Sequence, residues 1–66
     1  MKYSNLSDSY KRERVRDMFR ILDAGNALAV NGLYLEEIRF LKAMYGKELV
    51  KKDGVIYRRM EVEELT

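Results

Sequence analysis

The sequence predicts an α+β domain: two antiparallel helices followed by a C-terminal β-hairpin, packed through its helices into a homodimer. Three observations carry this expectation. Apolar residues recur at helical spacing from Val15 to Tyr45. Asp53-Gly54, a turn dipeptide, stands between residues of strand type. The stretch Leu33–Tyr45 is apolar on two flanks, more than a surface helix with one partner requires.

Residues 1–5 read as a mobile lead. Ser7, Asp8 and Ser9 each offer a side-chain oxygen to cap a first helix, expected over residues 7–23. Val15, Met18, Phe19 and Leu22 form its buried stripe at i, i+3, i+4 and i+7. Ala24-Gly25 ends it, with Gly25 free to adopt a left-handed conformation.

A second helix is expected over residues 27–45, with a possible break at Asn31-Gly32. Ala27, Val30, Tyr34, Ile38, Leu41 and Tyr45 keep one helical face across the whole region. Asn31-Gly32 between apolar residues is also a hairpin signal, and this is the competing reading of residues 26–36. Within Leu33–Tyr45, Tyr34, Leu35, Ile38, Leu41 and Tyr45 share the broad face, while Phe40 and Met44 form a separate flank. Phe40 and Met44 are therefore the expected dimer interface.

Residues 47–62 read as the hairpin. A two-residue loop at Asp53-Gly54 sets Val50 opposite Tyr57 and Glu48 opposite Arg59, an apolar pair and a charge-matched pair. An isolated hairpin is marginal in water, so Leu49, Ile56, Met60 and Val62 are expected to lie on a helix.

At 66 residues the chain makes one small domain, residues 1–66. Such a chain buries only about 60% of the surface it exposes unfolded. It contains no Cys and no His. Disulfides and the usual structural zinc ligands are thereby excluded, leaving oligomerisation as the expected stabiliser. Ser-His and Cys-His nucleophilic sites are excluded for the same reason. The adjacent carboxylates Glu36-Glu37 and Glu63-Glu64 point about 100° apart on a helix and read as surface acids. The four glycines are isolated, and none belongs to a phosphate-binding loop. No enzyme, metal or cofactor is expected. No membrane span and no signal peptide are read from the chain, so the expected location is cytoplasmic.

Net charge is +2, and the cations fall into two groups. Lys11, Arg12, Arg14, Arg16 and Arg20 lie on the first helix, with Arg12, Arg16 and Arg20 in one row. Like charges at this spacing cost roughly 0.2–0.5 kcal/mol per pair. Either Glu13 and Asp17 neutralise the row, or an external polyanion does. Lys51, Lys52, Arg58 and Arg59 form the second group, around the hairpin. A basic row and a basic hairpin suit backbone contacts to nucleic acid. The expected nucleic-acid-binding residues are thus Arg12, Arg16, Arg20, Lys51, Lys52, Arg58 and Arg59.

Helix, broken helix, helix and hairpin in this order loosely resemble a winged helix-turn-helix. The segment Gly54–Leu65 is similar in flavour to the wing and tail of small excisionase-like regulators. The likeness stops at element order, because Leu33–Tyr45 would enter the groove and carries Glu36 and Glu37, which phosphates repel. Two functions follow as expectations. One is a small nucleic-acid-binding regulator of mobile-element type. The alternative is a small non-enzymatic module that binds and modulates another protein, such as a host protein.

Overall fold

The first helix starts where Ser7 can cap it. In the computed structural model, which describes residues 2–59, the Ser7 hydroxyl accepts the Tyr10 N–H at 3.2 Å. Helix α1 then spans Asp8–Asp23. It closes on a Schellman motif: Gly25 N–H donates to the Leu22 carbonyl and Asn26 N–H to the Ile21 carbonyl, each at 3.0 Å. Gly25 takes a φ of 86°, a conformation that costs a residue with a Cβ.

The chain then departs from the expected second helix. Ala27–Ala29 form a short strand, β1. One 3-10 turn follows at Val30–Gly32, and helix α2 begins only at Leu35, ending at Tyr45. Asn31-Gly32 makes no hairpin, since β1 pairs with a strand from the far end of the chain. Strands β2 (Leu49–Lys52) and β3 (Val55–Arg58) form the predicted hairpin. Asp53 and Gly54 both have positive φ, 54° and 79°, as a type I′ turn requires. Val50 pairs with Tyr57 as expected. Strand β1 lines up antiparallel on the other side of β3, with Leu28 opposite Ile56, so the sheet has three strands in the order β1-β3-β2.

Strand β1 also reverses the expected helix orientation. It carries the chain back along α1, so that Gly32 reaches Arg14. Helix α2 therefore starts beside the middle of α1 and runs in the same sense: Arg14 meets Glu37, Phe19 meets Phe40, and Asp23 meets Tyr45. The helices are not antiparallel, because a strand rather than a tight loop joins them.

Side chains alternate along a strand, and both helices cover the sheet face that carries Leu28, Leu49 and Ile56. The core between the layers is built on Met18, Leu22, Leu41 and Ile56, all buried. Phe19, Leu28, Leu33, Tyr45 and Leu49 close around it, half-buried. The expected contacts of Met60 and Val62 lie outside the described residues.

Glu37, expected at the surface, is buried. Its carboxylate takes Arg14 Nε at 2.6 Å and Arg14 Nη2 at 2.8 Å, and accepts the Tyr34 N–H at 2.9 Å. This one side chain caps α2 from its third residue and fastens it to α1. A buried carboxylate is tolerable only when paired and hydrogen-bonded, and Arg14 meets that condition. The hydrogen bond to Glu37 is also the main reason that the Arg14 guanidinium is held protonated even more firmly than usual. Tyr3–Asn5, expected as a mobile lead, form a 3-10 turn that sets the Tyr3 ring 5.2 Å from that of Tyr34. Among the described residues no helix is long and apolar enough to cross a membrane.

Candidate functional site

The outer side of α1 presents its arginine row to solvent. Arg12, Arg16 and Arg20 are all exposed. Arg20 is answered as the charge pattern suggests: its Nη1 lies 3.7 Å from Asp17 Oδ1. That pair is exposed and contributes little. Among the described residues, neither Arg12 nor Arg16 enters an ion pair.

Beside the row, the parallel run of the helices brings two aromatic rings together. Phe19 of α1 and Phe40 of α2 stand 6.0 Å apart at 30°, and Phe19 meets Tyr45 edge-on at 5.9 Å. Phe40 remains 42% exposed, so this contact does not bury it. With Val15 the two rings form the floor of an open groove of about 410 Å³. Tyr3 closes one end. Lys11, Arg12 and Arg16 stand along the rim, and among the described residues no acidic one lines it. The Lys11 ammonium sits 5.1 Å above the Tyr3 ring, which fixes the charge at that end of the groove. Past Phe19 the surface continues into a second hollow, lined by Asp23, Met44, Tyr45 and Arg58. Met44 is 57% exposed there.

Of the hairpin cations, Arg58 lines the second hollow. Arg58 is committed within the domain: its Nη1 lies 2.8 Å from Asp23 Oδ1, its Nε donates to Glu48 Oε1 at 2.9 Å, and its guanidinium covers the Tyr45 ring. The hydrogen bond to Glu48 is the first reason that its pKa is raised further. Arg58 thus takes the Glu48 carboxylate that strand register assigned to Arg59. Arg59 instead donates its backbone N–H to the Glu48 carbonyl. Arg58 wins because its side chain lies on the helix-facing side of the sheet, where Asp23 adds a second acceptor. Lys51, Lys52 and Arg59 are exposed. Lys52 shares the open face of the sheet with Val50, Val55 and Tyr57, turned away from the helices. Lys51 pairs with Ile56 and so belongs to the other face of the sheet.

The groove itself escaped the sequence reading. Helical spacing places Phe19 in the core and Phe40 on a separate dimer flank, and Tyr3 belongs to the expected mobile lead. Their meeting follows from the shared direction of α1 and α2, which β1 creates. The available signal was the position of Phe19 at the edge of its stripe, next to Arg12 and Arg16. Comparison of the chain with protein-family models, curated proteins and solved structures finds no match.

Proposed function

We propose that this chain is a small non-enzymatic module that binds and modulates another protein through the groove between α1 and α2. One observation carries the reading: the half-exposed Phe19–Phe40 pair lies beside two arginines with no acidic partner in the described domain. Phe, Tyr, Met and Arg are the residues enriched at the centres of protein interfaces. Tyr3, Phe19, Phe40, Met44, Arg12 and Arg16 supply that composition on one continuous surface. The test is capture of partners from the native cell extract by the tagged chain and by a Phe40→Ser variant, with and without nuclease. A protein retained after nuclease and lost with Phe40→Ser supports the reading. Capture indifferent to Phe40 removes the groove from it. A cytoplasmic location belongs to the same proposal and is checked by cell fractionation.

Arg12 and Arg16, without an acidic partner among the described residues, favour a second reading, a nucleic-acid-binding regulator that contacts phosphates through the arginine row. Log affinity should then fall with log salt at a slope of about −0.9 per phosphate contact on duplex DNA. Replacing Arg12, Arg16 and Arg20 together by Gln should weaken binding to all sequences alike, since phosphate contacts position rather than specify. Absence of salt-sensitive binding at low ionic strength ends this reading. A winged-helix mode gains no support from α2, whose exposed residues include Glu36. The expected homodimer through Phe40 and Met44 would use the same surface as the protein partner, so a second copy competes for it.

A further inference from the structure

We infer that the groove takes an acidic amphipathic helix, with apolar side chains seated against Phe19 and Phe40 and carboxylates facing Lys11, Arg12 and Arg16. The inference rests on the protein-binding reading above and names the chemistry of the partner. Charge complementarity selects it. Among the described residues the rim holds three cations and no anion, and the floor is built of the apolar side chains of Val15, Phe19 and Phe40. Arg12 and Arg16 are one helical turn apart, so carboxylates one turn apart on an aligned helix can meet both. From Lys11 to Phe19 the groove follows α1 for about 12 Å at 1.5 Å per residue. That is roughly two turns, enough for apolar anchors at i, i+3 or i+4, and i+7, the usual way a helix lies in a groove.

The same charges argue against a second copy seated groove to groove. A two-fold contact places each patch on itself, setting the basic rim of one copy against the basic rim of the other. Like charges across an interface suppress that pairing. Sites for single-stranded nucleic acid also combine cations with aromatic stacking, so such a strand is a distinct outcome of the test.

The probes are two labelled synthetic peptides of about three helical turns, with Leu at i, i+3, i+4 and i+7. In one, the remaining positions are Glu and Ala; in the other, Lys replaces Glu. An oligo-dT strand is the third probe. Binding is followed by fluorescence anisotropy, and its location by amide and aromatic chemical shifts of the full chain. The Glu peptide should bind about tenfold tighter than the Lys peptide, equivalent to about 1.4 kcal/mol, and should shift Phe19 and Phe40. Arg12→Gln with Arg16→Gln should erase the preference while leaving thermal unfolding in place, because among the described residues neither arginine bonds to another element. Equal binding of both peptides at the groove overturns the acidic-partner inference and leaves the protein-binding reading standing. Failure of both peptides to shift Phe19 and Phe40 overturns the inference, and the Phe40→Ser capture then decides the reading separately. Displacement of the Glu peptide by oligo-dT, at lower concentration than unlabelled Glu peptide requires, overturns it in favour of nucleic acid.

Discussion

Arg14 Nε lies 2.6 Å from Glu37 Oε2, tying the middle of α1 to the first turn of α2. The two partners differ in exposure: the Glu37 side chain is fully covered, whereas that of Arg14 is 23% exposed. Removing Arg14 strands a charge that water cannot reach; removing Glu37 leaves a cation that can turn toward solvent. Arg14→Met should therefore be the more damaging change, by about 3–5 kcal/mol, the usual cost of breaking a buried pair from one side. Arg14→Met with Glu37→Leu should recover part of that loss, because no charge then stays buried unpaired. Urea unfolding of the two single variants and the double variant measures the cycle. A loss under 1 kcal/mol for Arg14→Met, about the value of an exposed pair, would show that the pair is solvated.

The Asp53-Gly54 turn tests the hairpin without touching the core. Both residues have positive φ, yet only Gly54 adopts it without a Cβ. Gly54→Ala should cost about 1–2 kcal/mol, the penalty of a left-handed residue with a side chain. Asp53→Asn should be neutral or stabilising, since Asn-Gly suits this turn. Thermal unfolding of the two variants reads the difference. A harmless Gly54→Ala would mean that the turn is not type I′ in solution.

The parts legible in the sequence depend on neighbours close in the chain. The Ser7 cap, the Gly25 terminus and the Val50–Tyr57 register all follow from local chemistry, and the structure contains each. Strand β1 was illegible because three residues are too few to show alternation. Ala27 and Val30 also fell by coincidence on the helical period of Tyr34 and Ile38. Burial of Glu37 depends on Arg14, 23 residues away, and nothing local marks that pair. The arginine row was legible as a row. Its meeting with Phe40 was not, because it depends on the direction of α2, and that direction depends on β1.

Tyr45 sets a limit on stability at high pH. Its hydroxyl donates to Asp23 Oδ1 at 3.0 Å. Burial, and next the Asp23 hydrogen bond, raise its pKa above the ordinary 10.0. Tyr3 is raised as well, first by burial and then by the charge of Glu37. The folded state thus holds these phenol protons more tightly than the unfolded state. Their contribution is complete below the unfolded value of about 10 and is lost as pH rises through the higher folded values. The melting temperature should therefore decline above about pH 10, and Tyr45→Phe should decline less steeply from a lower starting point. Parallel pH profiles for the two proteins would assign the alkaline loss to other groups.

Self-association through Phe40 and Met44 makes a prediction opposite in sign to docking of an acidic partner. The two residues are 42% and 57% exposed, and apolar contact between copies would favour a dimer. The same contact brings the Arg12–Arg16 rims of the copies together, and that repulsion acts through solvent. Its range is about 10 Å at 0.1 M salt and about 3 Å at 1 M. A dimer built here should therefore tighten as salt is raised, whereas an acidic peptide should be released over the same range. Sedimentation equilibrium at low and high salt reads the first effect and anisotropy the second. Phe40→Glu should abolish dimerisation at every salt concentration, because it places a carboxylate in the apolar contact. A stable monomer at micromolar concentration in high salt removes the homodimer and leaves Phe40 and Met44 to a different partner. A dimer that weakens with salt would instead have opposite charges at its interface, and the arginine row would then face acidic residues of the second copy.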